Sequence, residues 1–317
     1  MLIPNRSGGP AQQGGSASVG RNVVGGGPTR SGGAHPRQGY RRVVTMTEMN
    51  EAPNGTDPSG DGAEPLLRLR GIDKHFGPVQ ALYGVDLDLY AGQVTGLCGD
   101  NGAGKSVLTR CIAGAHQPDH GEIYFGGRPV HIRSTRDASA LGIETVYQDL
   151  ALADNLDIVQ NMFLGRERLR RGLLDEDSME RQAAETLSTL RVTTVRSIRQ
   201  PVASLSGGQR QAVAVAKAVM WNSKLVLLDE PTAALGVVQT RTVLDLIERL
   251  RDRGLAVMVI SHNLNDVFEV ADRIAVLYLG RMVADGPAAD FDRQSVVEYM
   301  TTGASNGRPL EPAGSVA

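Results

Sequence analysis

Eight consecutive residues, Gly99-Asp100-Asn101-Gly102-Ala103-Gly104-Lys105-Ser106, fit the pattern G-x-x-x-x-G-K-[ST]. Glycines at this spacing let successive backbone N–H groups turn inward onto a phosphate, and a helix starting at the end of the loop presents the positive end of its dipole to the same charge. In such a loop the Lys105 ammonium reaches the β- and γ-phosphates and the Ser106 hydroxyl binds Mg²⁺. The alternative, a glycine-rich turn with a surface lysine, is disfavoured by the strand-like residues before the loop and the helical pattern after it. A second segment, Leu225-Val226-Leu227-Leu228-Asp229-Glu230, is an apolar run ending in two carboxylates. A buried parallel strand that delivers an acid at its carboxyl end suits an aspartate holding Mg²⁺ through water, here Asp229, with Glu230 one residue on to polarise the attacking water. By itself this pattern also describes a strand ending in solvated turn residues; beside a phosphate loop it gains weight.

A third segment, Leu205-Ser206-Gly207-Gly208-Gln209-Arg210-Gln211, lies on the order of 100 residues after Lys105 and opens a helical stretch. A serine hydroxyl and two flexible glycines at a helix N-terminus form a second anion site suited to a γ-phosphate. Read alone, the string is equally an ordinary helix N-cap.

The elements that must position these residues are legible as short apolar runs alternating with helical patterns from Leu66 onward, the texture of an α/β protein. LLRLRGIDKHF and ALYGVDLDLY alternate like half-exposed strands, and QVTGLCG reads as a buried strand leading to a helix from Gly104 to about Ala115. GEIYFGGRPVHI predicts a hairpin turning at Gly126-Gly127, and GIETVYQ another short strand. From about 150 to 221 the pattern is helical, with Glu176 to Leu190 amphipathic and Gly208 to Met220 rich in alanine and valine. Strands return at KLVLLD, LAVMVIS and RIAVLYLG, with the helix TRTVLDLIERLRDRG between the first two. The expected organisation is one nucleotide-binding core over 65–305, interrupted by a helical insertion at about 150–221.

Composition bounds the rest. The 317 residues are 41% hydrophobic and 21% charged, which excludes wholesale disorder and collagen-like repeats. No run approaches the ~18–20 apolar residues of a membrane span. With 33 Lys+Arg against 35 Asp+Glu, a net charge of −2 gives no reason to expect a specific nucleic-acid partner. Two cysteines, Cys98 and Cys111, make a disulfide framework implausible and fit small buried apolar residues in a reducing compartment. Residues 1–45 carry six arginines and no acid, and 46–64 reverse that bias; both stretches are rich in Gly and Pro and predict a disordered tail and linker, as do residues 306–317. No apolar run follows Arg41-Arg42, so no secretory signal fits. Either the tail has no dedicated role, translation starting at Met46 or Met49, or it tethers the chain to nucleic acid or anionic lipid.

Together, the phosphate loop, the Asp-Glu strand and LSGGQRQ resemble the ATP-binding cassette (ABC) ATPases, and the likeness runs from about Leu66 to Gly303. It implies a P-loop core of ABC-ATPase type with an antiparallel β subdomain and an inserted helical subdomain. It also implies roles for residues that would otherwise read as a strand-end amide, a satisfied histidine and a core phenylalanine. Gln148 corresponds to the glutamine that contacts Mg²⁺ and attacking water, His262 to the switch histidine on the γ-phosphate, and Phe76 to the aromatic that stacks on adenine. Ser206, Gly207, Gly208 and Gln209 take the place of the signature that completes the ATP site of a second, head-to-tail copy. Two departures stand out: Val107 replaces the usual serine or threonine, removing a side-chain contact near the α-phosphate, and Gly236 replaces the usual aspartate of the D-loop, weakening the case for tight coupling between two ATP sites. VYQDLALADNLDIVQNMFLGRE, QPVASLSGGQRQAVAVAKAV and EPTAALG are similar to ATPase subunits of bacterial ribose, xylose and fructose importers, in the single-cassette branch. The implied partners are permease subunits and a periplasmic or lipoprotein sugar-binding protein, the implied place the cytoplasmic face of a membrane. The alternative is an ABC ATPase working without a permease; a non-hydrolysing sensor is disfavoured by Glu230.

Overall fold

The computed structural model describes residues 64–192 and 195–305. The tail and linker expected before Glu64, and the tail expected from 306, fall outside them.

The chain opens with two long strands, β1 (Leu67–Phe76) and β2 (Val79–Leu89), paired antiparallel. Their alternation places Leu67 opposite Leu89 and Leu69 opposite Leu87, all four buried on one face. After β3 (Val94–Cys98) and the helix α1 (Lys105–Ile112), the hairpin of β4 (His120–Phe125) and β5 (Arg128–Val130) turns at Gly126 and Gly127, both at positive φ, as the sequence predicts. It completes an antiparallel sheet of order β2-β1-β4-β5.

A larger sheet forms around β3. It takes in β6 (Ile143–Val146), which follows the helix α2 (Thr135–Leu141), and then β9 (Leu225–Asp229), β10 (Ala256–Ile260), β11 (Arg273–Tyr278) and β12 (Arg281–Pro287) in the order β12-β11-β3-β10-β9-β6. All pairings are parallel except that of β12. The runs VTGLC and AVMVI are fully buried and LVLLD is buried up to its terminal aspartate, the composition a parallel strand covered on both faces requires. The helices α6 (Val237–Asp252), α7 (Leu264–Val270) and α8 (Arg293–Thr302) connect or follow these strands.

Between β6 and β9 lie α3 (Ile158–Phe163), α4 (Glu176–Thr189) and α5 (Gly207–Val219), where the helical insertion was expected. Their apolar stripes share one core with the inner faces of β9 and β10, built on Phe163, Leu187, Val213 and Val215 and reaching Leu228 and Val259. A second core joins the antiparallel sheet to α1. The insertion also contains an unforeseen two-stranded ribbon, β7 (Leu169–Arg170) and β8 (Leu173–Leu174). Helix α6 begins three residues before the expected Thr240, because a β-branched Val237-Val238 pair conceals the first turn. Cys98 and Cys111 are free and buried, as anticipated.

Candidate functional site

The phosphate loop is held by contacts only glycine permits. A side chain at Gly99 would put its Cβ 2.5 Å from the carbonyl oxygen of Leu277 on β11, and one at Gly104, where φ is 105°, would lie 2.9 Å from the carbonyl oxygen of Ala81 on β2. The loop is thus clamped between the two sheets. Lys105 is only 8% exposed, and its Nζ donates to the carbonyl oxygens of Gly99 at 2.7 Å and Asp100 at 3.0 Å. Among the described residues it has no carboxylate partner, so a buried ammonium is satisfied by neutral acceptors alone and retains its attraction for an anion. Helix α1 starts beside it with no side-chain cap and no acid in its first turn. Its N-terminal N–H groups are open to the same anion.

Parallel register brings the other groups to this place. Asp229 on β9 lies opposite Ile260 on β10, so the residues that follow, Glu230 and His262, sit side by side. His262 Nδ1 is 2.8 Å from Glu230 Oε1, and the Glu230 amide donates to the carbonyl oxygen of Ile260 at 2.9 Å. Glu230 adopts φ of 50°, a left-handed conformation that costs a non-glycine residue ~1–3 kcal/mol and is found where function demands it. Burial, reinforced by the Glu230 carboxylate, pushes the Asp229 carboxyl above its ordinary range, against the pull of Arg110 and Lys105. Gln148 arrives two residues past the end of β6.

These groups share a cavity of about 350 Å³ lined by Asp100, Asn101, Gly102, Gly104, Lys105, Ser106, Val107, Gln148, Asp229, Glu230 and His262, together with Ala81. Open cavities at the carboxyl ends of parallel strands are where α/β sheets bind ligands. Ala103 is buried beneath the loop rather than facing the cavity. Phe76 is not a core residue: it is 44% exposed at the end of β1, edge-on to His116 at 5.3 Å, with the Lys74 ammonium 5.5 Å from its ring centre. Ser206 and Gln209 form a reciprocal capping box at the start of α5, the Ser206 amide donating to Gln209 Oε1 at 2.8 Å. Gly207 and Gly208 pack closely on Leu235 and Gln239. None of Ser206, Gly207, Gly208 and Gln209 lines the cavity of its own chain.

Two contributors carry no chemical signal in the sequence. Ala81 supplies the carbonyl that forbids a side chain at Gly104. Thr232 Oγ1 donates to the buried carboxylate of Asp266 at 2.6 Å, pinning the loop after Glu230 to α7.

A family described as ABC transporter matches residues 82–233. The fructose import ATP-binding protein FrcA of Rhizobium meliloti is 49% identical over 245 residues, covering 75% of this chain and 94% of that protein. The chain belongs to the ABC transporter ATP-binding family. The cassette is also similar to the xylose/arabinose import ATP-binding protein XylG of Sulfolobus acidocaldarius, 45% identical over 75% of this chain and 94% of that protein. It is 42% identical to the ribose import ATP-binding protein RbsA 1 of Rubrobacter xylanophilus over 78% of this chain, but spans only 48% of that protein. Among solved structures, the cassette MJ1267 of an ABC transporter superimposes with a TM-score of 0.66 at 25% identity, covering 75% of this chain and 97% of that one. A dimeric post-hydrolysis state of the cassette MJ0796 bound to ADP and Pi does so at 0.60 and 25%, covering 70% and 98%. The α/β P-loop architecture and the nucleotide-binding ATPase class of the cassette are thereby established.

Proposed function

We propose that this cassette hydrolyses ATP to energise import of a monosaccharide, working on the cytoplasmic face of a membrane with permease subunits and a sugar-binding protein. The observation that carries the reading is the convergence of Lys105, Ser106, Gln148, Asp229, Glu230 and His262 on one cavity, in a chain nearly half identical to a fructose import ATP-binding protein. No described helix is long and apolar enough to cross a membrane, consistent with attachment through a permease.

Lys105 and the open N-terminus of α1 hold the β- and γ-phosphates, and Phe76, exposed at the end of β1, would stack on adenine as the family resemblance implies. Oxygen donors from Ser106, Gln148 and Asp229 suit Mg²⁺, a hard cation that takes few protein ligands and completes its shell with waters and phosphate oxygens. Bound Mg²⁺ would neutralise phosphate charge as it develops. Glu230 accepts the proton of the attacking water, and His262, against its carboxylate, orients it and faces the γ-phosphate. Because the signature residues do not reach this cavity, Ser206 through Gln209 serve the nucleotide of a second copy packed head to tail.

The test is reconstitution of the cassette with the permease and binding protein encoded beside it in proteoliposomes, following uptake of labelled fructose, xylose and ribose. Uptake of at least one sugar that needs ATP and is lost with Lys105→Ala is the expected result. ATP hydrolysis without uptake of any sugar, and without association with the permease, would instead identify an ATPase uncoupled from transport.

A further inference from the structure

The ribbon β7–β8 takes no part in the nucleotide site. Each strand is two residues long, and Arg171 and Gly172 join them at φ of 55° and 83°, the paired positive values of a tight hairpin turn. Leu169 pairs with Leu174 and Arg170 with Leu173. Cross-strand partners share a face and successive residues alternate, so leucines stand on both faces of the ribbon. Leu169, Leu173 and Leu174 are 67%, 76% and 55% exposed. A two-stranded ribbon this short cannot cover its own apolar side chains, and contiguous exposed leucines mark a contact surface.

From Arg168 to Leu174 every charged residue is an arginine. Arg168, Arg170 and Arg171 form no salt bridge with any described residue, the Arg168 guanidinium lying instead over the Phe163 ring. Of the flanking acids, Glu167 accepts the Gly165 amide, Asp175 caps α4 and Glu176 pairs with Arg199, while Asp177 stands exposed in the first turn of α4. A groove on a partner protein would cover one face of the ribbon. The interface of a bilayer surrounds an inserted tip on every side, and its anionic phosphates match unpaired guanidinium groups.

We infer that the β7–β8 hairpin is a membrane-surface contact, its leucines entering the boundary between headgroups and acyl chains of an anionic phospholipid bilayer while Arg168, Arg170 and Arg171 hold lipid phosphates. The proposal rests on the import reading only for where the contact would be made.

Co-sedimentation of the full-length chain with phosphatidylcholine vesicles, with and without phosphatidylglycerol, tests it in the absence of any permease, so its outcome is independent of the import reading. The parent chain is expected to bind the phosphatidylglycerol vesicles. Arg170→Gln with Arg171→Asn should weaken binding by an order of magnitude or more, since each arginine at an anionic surface contributes about fivefold. Leu173→Ser with Leu174→Ser should weaken it similarly, in a way that added salt does not mimic. Both variants should keep the ATPase rate and melting temperature of the parent, showing that the fold is intact. Binding retained by both variants would assign it to the arginines among residues 1–45 and overturn the proposal. So would a parent chain that ignores the vesicles, including the case in which the variants fail only when a permease is present, which would make the ribbon a protein contact.

Discussion

At Lys105 a buried ammonium donates to two carbonyl oxygens, and at Asp229 and Glu230 two carboxylates line the same cavity. Groups of both signs lining one cavity suit a ligand that carries both signs, such as a metal–phosphate complex. Glu230→Gln keeps the shape and the contact with His262 but removes the base, so hydrolysis should fall ~10²-fold or more while ATP is still retained. Single-turnover assays and filter binding on parent and variant check this; near-normal turnover would remove Glu230 from the mechanism. The two thiols lead to a different expectation. Burial pushes the Cys98 thiol up to about 12 and the Cys111 thiol up to about 11, so the reactive thiolate is scarce until the pH approaches those values. At pH 8 the native chain should resist alkylation at both positions, while urea-unfolded chain reacts at once; rapid modification of native protein, read by mass spectrometry, would contradict the burial.

Helix α5 has a cap for its own amides at its N-terminus and, in the proposed reading, an anion site for a neighbour, and the two can be separated. Ser206→Ala removes the cap and should destabilise the cassette by ~1 kcal/mol in urea titration, with loss of ATP occlusion. Ser206→Asp restores an equally good cap but adds a negative charge, so stability should return and occlusion should not. Recovery of both would mean that Ser206 meets no phosphate. The strands that carry the chemistry were legible because VTGLC, LVLLD and AVMVI are short, mostly apolar runs, each leading within two residues to the cavity, at Asp100, Glu230 and His262. Other elements hid for physical reasons. Helix α2 buries one residue, Ala138, and α8 only Val296 and Tyr299, too few to show a 3.6-residue period. Edge strand β12 contains Asp285, Gly286 and Pro287, which suppress any strand signal. The bond from Thr232 to Asp266 joins two ordinary polar residues through tertiary folding, and no local pattern announces it. Phe76 shows the same limit in reverse, since a phenylalanine at the end of an alternating strand reads as core until its partners are seen.

Taken whole, the described residues hold one phosphate cavity and one signature loop that do not meet, and in the proposed reading two copies complete each other. Lys105→Ala should inactivate one homodimer and Ser206→Arg another, whereas in the mixed dimer both lesions fall in the same composite site and leave the second intact. ATP occlusion should therefore return in tagged heterodimers, and its absence, where wild-type dimers trap ATP, would refute the sharing of sites. The sheet order has a further consequence, in the time domain of synthesis. Strand β3 launches the phosphate loop, but its neighbours on either side are β10 and β11, and Gly99 closes against Leu277. At ~5–20 residues per second, a ribosome takes on the order of 10–35 s to travel from the end of β3 to the end of β11. Every side chain that lines the cavity has been made by His262, yet the strand that backs the loop has not. Chains stalled on the ribosome before Ile274 should fail to photolabel with an azido-ATP, and chains extended well beyond Ser305 should label. A message cut between His262 and Ile274 would yield a polypeptide that holds every residue lining the cavity but lacks the strand against which the phosphate loop closes.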